Sequence, residues 1–83
     1  VGAPQALALW NDKFMLRNAE HLAALAEKAS KDAAEQVRFA AKRVLLRLPT
    51  ADEETAWTAY SKKHGLANLC RVLLNSSEFL FVD

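Results

Sequence analysis

The chain has 83 residues, enough for one domain, and a chain this short buries only somewhat more than ~60% of its unfolded surface, so modest stability is expected. Eleven basic against ten acidic residues leave a net charge of +1, a balance that does not indicate nucleic acid or an acidic lipid surface as partner. The single cysteine, Cys70, excludes an internal disulfide, a CxxCH haem attachment and a multi-cysteine zinc site.

Two glycines, two prolines and 52% hydrophobic residues argue against disorder, and aliphatics drawn from Ala and Leu rather than Val and Ile favour helix over strand. No run of roughly 18 apolar residues is present, so no membrane span is expected. The opening Val1-Gly2-Ala3-Pro4 lacks an initiator Met. Residues 1–83 are therefore read as a single helical domain excised from a larger protein.

Pro4 suits the first turn of a helix, where its missing N–H would have no partner anyway. Leu7, Trp10, Phe14, Leu22 and Leu25 follow with a helical period, and Met15, Ala19, Ala26 and Ala29 widen the stripe. Asn11-Asp12 interrupts that pattern and suggests a short helix hinged onto a longer one. Ser30-Lys31 is the first break, and Asp32 with Glu35 forms a cap pair for the next helix. That second helix is expected to run to about Leu48, with Val37, Ala41, Val44, Leu45 and Leu48 inward. Pro49 stops it, because a proline disfavours helical geometry in the residue before it.

Thr50-Ala51-Asp52-Glu53 is the clearest helix start: Thr50 caps, Glu53 reaches back, and Asp52, Glu53 and Glu54 crowd the positive end of the dipole. Trp57, Tyr60 and His64 share a face of this third helix, and Gly65 can adopt the left-handed turn that ends it. Leu66, Leu69, Cys70, Leu73 and Leu74 give a fourth helix. Asn75-Ser76-Ser77-Glu78 then punctuates the chain, with Asn75 and Glu78 at capping-box spacing, before the apolar Phe79-Leu80-Phe81-Val82. The expectation is an all-α, compact bundle of four main helices plus a short C-terminal helical turn.

Three stretches carry a resemblance. Pro4-Gln5-Ala6-Leu7-Ala8-Leu9-Trp10-Asn11 resembles a "PQALALLN" signature, Leu45 to Glu53 resembles "LGRxPTxEE", and Asn68 to Asp83 resembles "DLCxxLLNSxEFLYVD". All three belong to a planctomycete family of unknown function whose members lie C-terminal to cytochrome-c-like domains in large exported proteins. Leu46 stands where that pattern has Gly, Leu48 where it has Pro, and Ala41 at a frequent Tyr position, so the link between helices two and three is expected to depart from the family's usual turn. The resemblance implies an extracytoplasmic location and supplies no catalytic residues. A looser similarity runs to a helical family with "LGRxPDxxG…SxEF", found in surface-layer and calcium-dependent exported proteins.

Candidate chemistry is sparse. His21, His64 and Cys70 are the soft metal-ligand candidates, but no two lie at the i, i+3 or i+4 spacing that helical pairing requires. Met15 lacks the attachment motif that would make it a haem ligand, so no cofactor is expected. Asp52, Glu53 and Glu54 resemble paired carboxylates, yet the first turn of a helix favours the ionised form and opposes the raised pKa that acid–base work requires. Arg38, Lys42, Arg43 and Arg47 form one basic cluster containing two like-charged i, i+4 pairs, with Phe39 among them. The simpler reading is a solvated face with counter-charge from Asp52–Glu54 or from other domains, because a pI near 8.1 is below the usual basic footprint.

Asn11, Thr50, Glu53, Asn75, Ser76, Glu78 and Phe79 are accordingly read as structural motif residues. The expected function is a non-catalytic structural or interaction module whose partners are other domains of the parent or another protein. Two alternatives stand beside it: a small nucleic-acid binder using the basic face, or one wall of an active site completed by upstream sequence.

Overall fold

The computed structural model describes residues 12–76. Four helices follow one another there: α1 (Asp12–Ala29), α2 (Ala33–Leu45), α3 (Ala51–His64) and α4 (Leu66–Asn75). The fold is all-α, as composition and periodicity imply, and among the described residues no strand occurs. No described helix is long and apolar enough to cross a membrane. The expected C-terminal helical turn, with Glu78 and Phe79, lies outside the described residues, as does Asn11.

The core is built on three of the helices. Ala19, Leu22, Ala23 and Ala26 of α1 meet Val37, Ala40 and Val44 of α2 and Leu66, Leu69, Cys70 and Leu73 of α4. The alanines on α1 and α2 are small enough to let helix axes approach closely, while the leucines of α4 fill the space between them. Met15 is buried at 3% exposure, whereas Phe14 beside it is 43% exposed. The inward stripe of α1 therefore runs through Met15 rather than Phe14. Helix α3 differs from the others, since Ser61 is its only fully buried residue. Trp57 packs half-buried against the core, and polar contacts at the start of the helix supply much of the remaining attachment.

Each helix boundary has a local cause. Asp32 caps α2, its carboxylate accepting from Glu35 N–H at 3.1 Å. Glu35 does not return to Asp32; instead its carboxylate accepts from the Ser30 hydroxyl at 2.6 Å, and that hydroxyl accepts from Asp32 N–H at 3.0 Å. Ser30 thus closes the cap, a role its reading as a simple break misses. Helix α2 ends at Leu45 rather than Leu48. Leu46 turns into the left-handed region, φ 61° and ψ 24°, while its N–H still donates to Lys42 O. This is the conformation that usually terminates helices at glycine. Leu48, expected inward, falls beyond the last helical residue and is 58% exposed. Pro49 lies too far along to be what stops the helix.

Gly65 joins α3 to α4 in a single residue. Its N–H donates to Ser61 O at 2.8 Å, and its carbonyl accepts from Leu69 N–H at 3.2 Å. The backbone sits at φ 97° and ψ 149°, an extended positive-φ region open essentially to glycine alone, rather than the left-handed turn expected. A Cβ here would meet nothing within 4 Å, so the constraint is backbone conformation and not space. At the end of α4, Asn75 is still helical. Ser76 caps, its N–H and hydroxyl both donating to Val72 O, at 3.0 and 2.8 Å.

Two substitutions separate these effects. The steric cost of a left-handed leucine, about 1–2 kcal/mol, exceeds the roughly 0.4–1 kcal/mol by which glycine favours the unfolded chain. Leu46→Gly should therefore raise stability by about 0.5–1 kcal/mol in denaturant unfolding. Gly65→Ala should lower it by about 1–3 kcal/mol. A fall in midpoint for Leu46→Gly would contradict the strain assigned to that residue.

Candidate functional site

The α2–α3 junction concentrates the charged and capping residues singled out by sequence. Thr50 and Glu53 form a reciprocal capping box: Glu53 N–H donates to Thr50 Oγ1 at 3.1 Å, and Thr50 N–H donates to Glu53 Oε1 at 2.9 Å. The same carboxylate receives Arg47 through two bonds, Nη1 to Oε1 at 2.7 Å and Nη2 to Oε2 at 3.1 Å. Arg47 Nη1 also donates to Leu48 O at 3.3 Å. One carboxylate thereby binds both the start of α3 and the middle of the link that leads into it. Bidentate guanidinium–carboxylate geometry makes such a pair stronger than an ordinary surface contact.

The rest of the basic cluster is dispersed rather than combined. Arg38 Nη1 lies 3.1 Å from Glu54 Oε1, with both side chains part-buried. Arg43 places its guanidinium carbon 5.1 Å from the centre of the Phe39 ring, within range of a cation–π contact. Lys42 lines an open groove of about 390 Å³ with Ala29, Ser30, Arg38, Phe39 and Leu48. One member of each like-charged pair, Arg38 and Arg47, is thus compensated by a glutamate at the start of α3.

The groups capable of chemistry are displaced away from it. Arg47 first, then the backbone bond from Thr50, pulls the Glu53 carboxyl down from 4.5 to about 2, so it is ionised at neutral pH. Burial, with a smaller contribution from the Glu27 carboxylate, pushes the Cys70 thiol up from 9 to about 12. Cys70 is a packed core residue between α1, α2 and α4. His64 stacks with Tyr60 at 4.6 Å between ring centres, on the exposed side of α3. His21 lies on α1 beside a second open groove with Leu22, Leu25, Arg43, Val44 and Leu74. The three soft ligands are therefore on separate elements, and among the described residues no group of three or more His, Cys, Asp or Glu is placed to hold a metal ion.

Two features of this junction become specific only in the structure. One is the left-handed Leu46, whose signal in the sequence is that it stands where the resembled pattern has Gly. The other is which acid each arginine meets: the sequence offers Asp52–Glu54 as counter-charge, and the structure pairs Arg47 with Glu53 and Arg38 with Glu54.

Residues 1–61 match the family described as PSD1, protein of unknown function (DUF1553). The chain belongs to that family. The matched region contains α1, α2, the link and most of α3, so the Arg47–Glu53 node lies within it. No curated protein and no solved structure matches the chain.

The depressed Glu53 pKa sets a sign for acid sensitivity. A carboxyl whose folded pKa lies below its unfolded value contributes stability that is complete above the unfolded pKa and is lost as pH falls toward the folded one. Thermal midpoints should accordingly fall between about pH 4.5 and pH 2, and Glu53→Gln should lower the midpoint at pH 7 while flattening that dependence. An unchanged acid profile in the variant would show that Glu53 does not hold the junction.

Proposed function

Within this family of unknown function, we propose that the chain is a non-catalytic structural or interaction module. The observation that carries this reading is geometric: the Glu53 carboxylate is held by Arg47 and Thr50, and the Cys70 thiol is packed into the core; in each the pKa is displaced in the inert direction. An acid–base carboxyl needs a raised pKa and a nucleophilic thiol a lowered one. Glu53 is held ionised near 2 and Cys70 protonated to about 12. Both side chains are occupied in holding helices together.

The resemblance of Pro4–Asn11, Leu45–Glu53 and Asn68–Asp83 to an exported planctomycete family supports placing the module at the C-terminus of a larger extracytoplasmic protein associated with cytochrome-c-like domains. In that setting its partners are other domains of the same protein or another protein. Phosphate binding at the basic cluster finds less support. Arg47 and Arg38 would have to leave carboxylates they already contact at 2.7 and 3.1 Å, and α3 opens with three acidic residues in its first turn.

The thiol offers a direct test. Raised from 9 to about 12, Cys70 holds about a thousandfold less thiolate at pH 8 than an ordinary cysteine, and it is also buried. A small aromatic disulfide reagent should modify it only as fast as the fold opens, and denaturant should accelerate the reaction steeply. Rapid stoichiometric modification of the folded chain would reopen the enzymatic reading.

A further inference from the structure

We propose that the apolar groove between α1, α2 and α4 is the docking site of residues 77–83 of this same chain, with anchors drawn from Phe79-Leu80-Phe81-Val82. The inference concerns how the module completes its own fold, and it holds whether or not the module binds a partner.

Chain connectivity selects the occupant. The groove, about 270 Å³, is lined by Leu22 and Leu25 of α1, Val44 of α2 and Leu74 of α4, with Arg43 on its wall. Leu25 and Leu74 are only half-buried, and removing their remaining apolar surface from water is favourable. Leu74 belongs to the groove itself, and α4 ends one residue later at Asn75. Ser76 then leaves helical geometry, φ −100° and ψ 9°. Phe79 is three residues further on, and an extended chain covers about 3.3–3.6 Å per residue, so the apolar run begins within reach of the groove. Residues 1–11 arrive from the other direction. Helix α1 starts at Asp12, and Leu22 and Leu25 lie about 15–20 Å along it, so that segment would have to double back. A segment tethered as closely as 77–83 also competes at an effective concentration on the order of millimolar, which a second copy does not reach in dilute solution.

The composition of the segment fits the same groove. Ser77-Glu78-Phe79-Leu80-Phe81-Val82-Asp83 sets four consecutive large apolar residues between two carboxylates. Water opposes leaving such a run exposed, and two phenylalanines are a large share of the apolar surface available to a small domain. Among the described residues no carboxylate lines the groove, and Arg43 is cationic. Glu78 and Asp83 therefore meet no like charge there, while residues 1–11 carry no charged side chain to prefer that wall. Charge is the lesser support, because Arg43 is exposed and an exposed ion pair contributes little. Connectivity and the apolar run carry the assignment.

The test uses the full 83-residue chain. Nuclear Overhauser contacts should join the ring protons of Phe79 or Phe81 to the methyl groups of Leu22, Leu25, Val44 and Leu74, and an isotope-mixed sample should place them within one chain. Chymotrypsin should cleave after Phe79 and Phe81 at least about tenfold more slowly than in a free peptide of residues 77–83, because cleavage follows the population of the open segment. Leu25→Asp should bring that rate to within about twofold of the free peptide, and Arg43→Glu should raise it only about two- to threefold. The double variant Phe79→Ser, Phe81→Ser leaves the four helices unaltered, and it should shift the methyl resonances of the groove residues rather than those of the rest of the core. The proposal is overturned if the two rings contact methyl groups elsewhere on the bundle, if Trp10 takes the groove instead, or if the contacts arise only between chains. It is equally overturned if the parent chain is cleaved as fast as the free peptide or if the groove methyls ignore the double variant.

Discussion

The Glu53 carboxylate is the constraint on which the arrangement of this small domain turns. It accepts from the Thr50 N–H that begins α3 and from both Arg47 nitrogens in the link before it. Helix α3 has little apolar attachment of its own, with Trp57 half-buried and Ser61 alone fully buried. The position of that helix against α2 therefore depends on polar contacts to an unusual degree, Glu53 with Arg47 and Glu54 with Arg38. The other three helices form a conventional apolar core and would associate without it. One residue type thus does three jobs: glutamates at the α3 start cap the helix, complement its dipole and pair with Arg38 and Arg47.

That economy has a consequence for function. Side chains that look chemical in sequence are withdrawn from chemistry by the fold. The glutamate is ionised and held by Arg47 and Thr50, the thiol is buried and protonated, and the arginines are divided among separate partners. Among the residues left exposed at the junction are two leucines, Leu46 and Leu48, on either side of Arg47. The left-handed backbone at Leu46 marks where the link departs from its cheapest conformation.

Much of this was legible in the chain itself, because capping and burial are local. The three-residue spacing of Thr50 and Glu53 specifies the box, and Leu66, Leu69, Cys70 and Leu73 repeat at the period of a buried helical face. Reading fails where periodicity continues past the point at which the helix stops. Leu48 follows Val44 at a helical interval and reads as inward, yet the backbone has already reversed hand at Leu46. A leucine by itself gives no sign of a left-handed cap; the sign is the Gly that the resembled pattern has at this position. Phe14 and Met15 show a similar ambiguity: adjacent apolar residues differ by about 100° around a helix, and only the folded packing, which buries Met15 and leaves Phe14 exposed, selects between them. The partner of each arginine was not legible either, because it depends on how tightly the link folds.

The most direct test of the central role of Glu53 is a double-mutant cycle on its pair with Arg47, using Arg47→Met, Glu53→Gln and the double variant in denaturant unfolding at pH 7 and low salt. If the pair binds α3 to the link, each single change should destabilise the chain and the double change should cost clearly less than the two together, with the coupling shrinking as salt is added. Strict additivity at low salt would contradict the account, leaving α3 held by Trp57 and the capping hydroxyl and the exposed leucines on a loop with nothing to fix it.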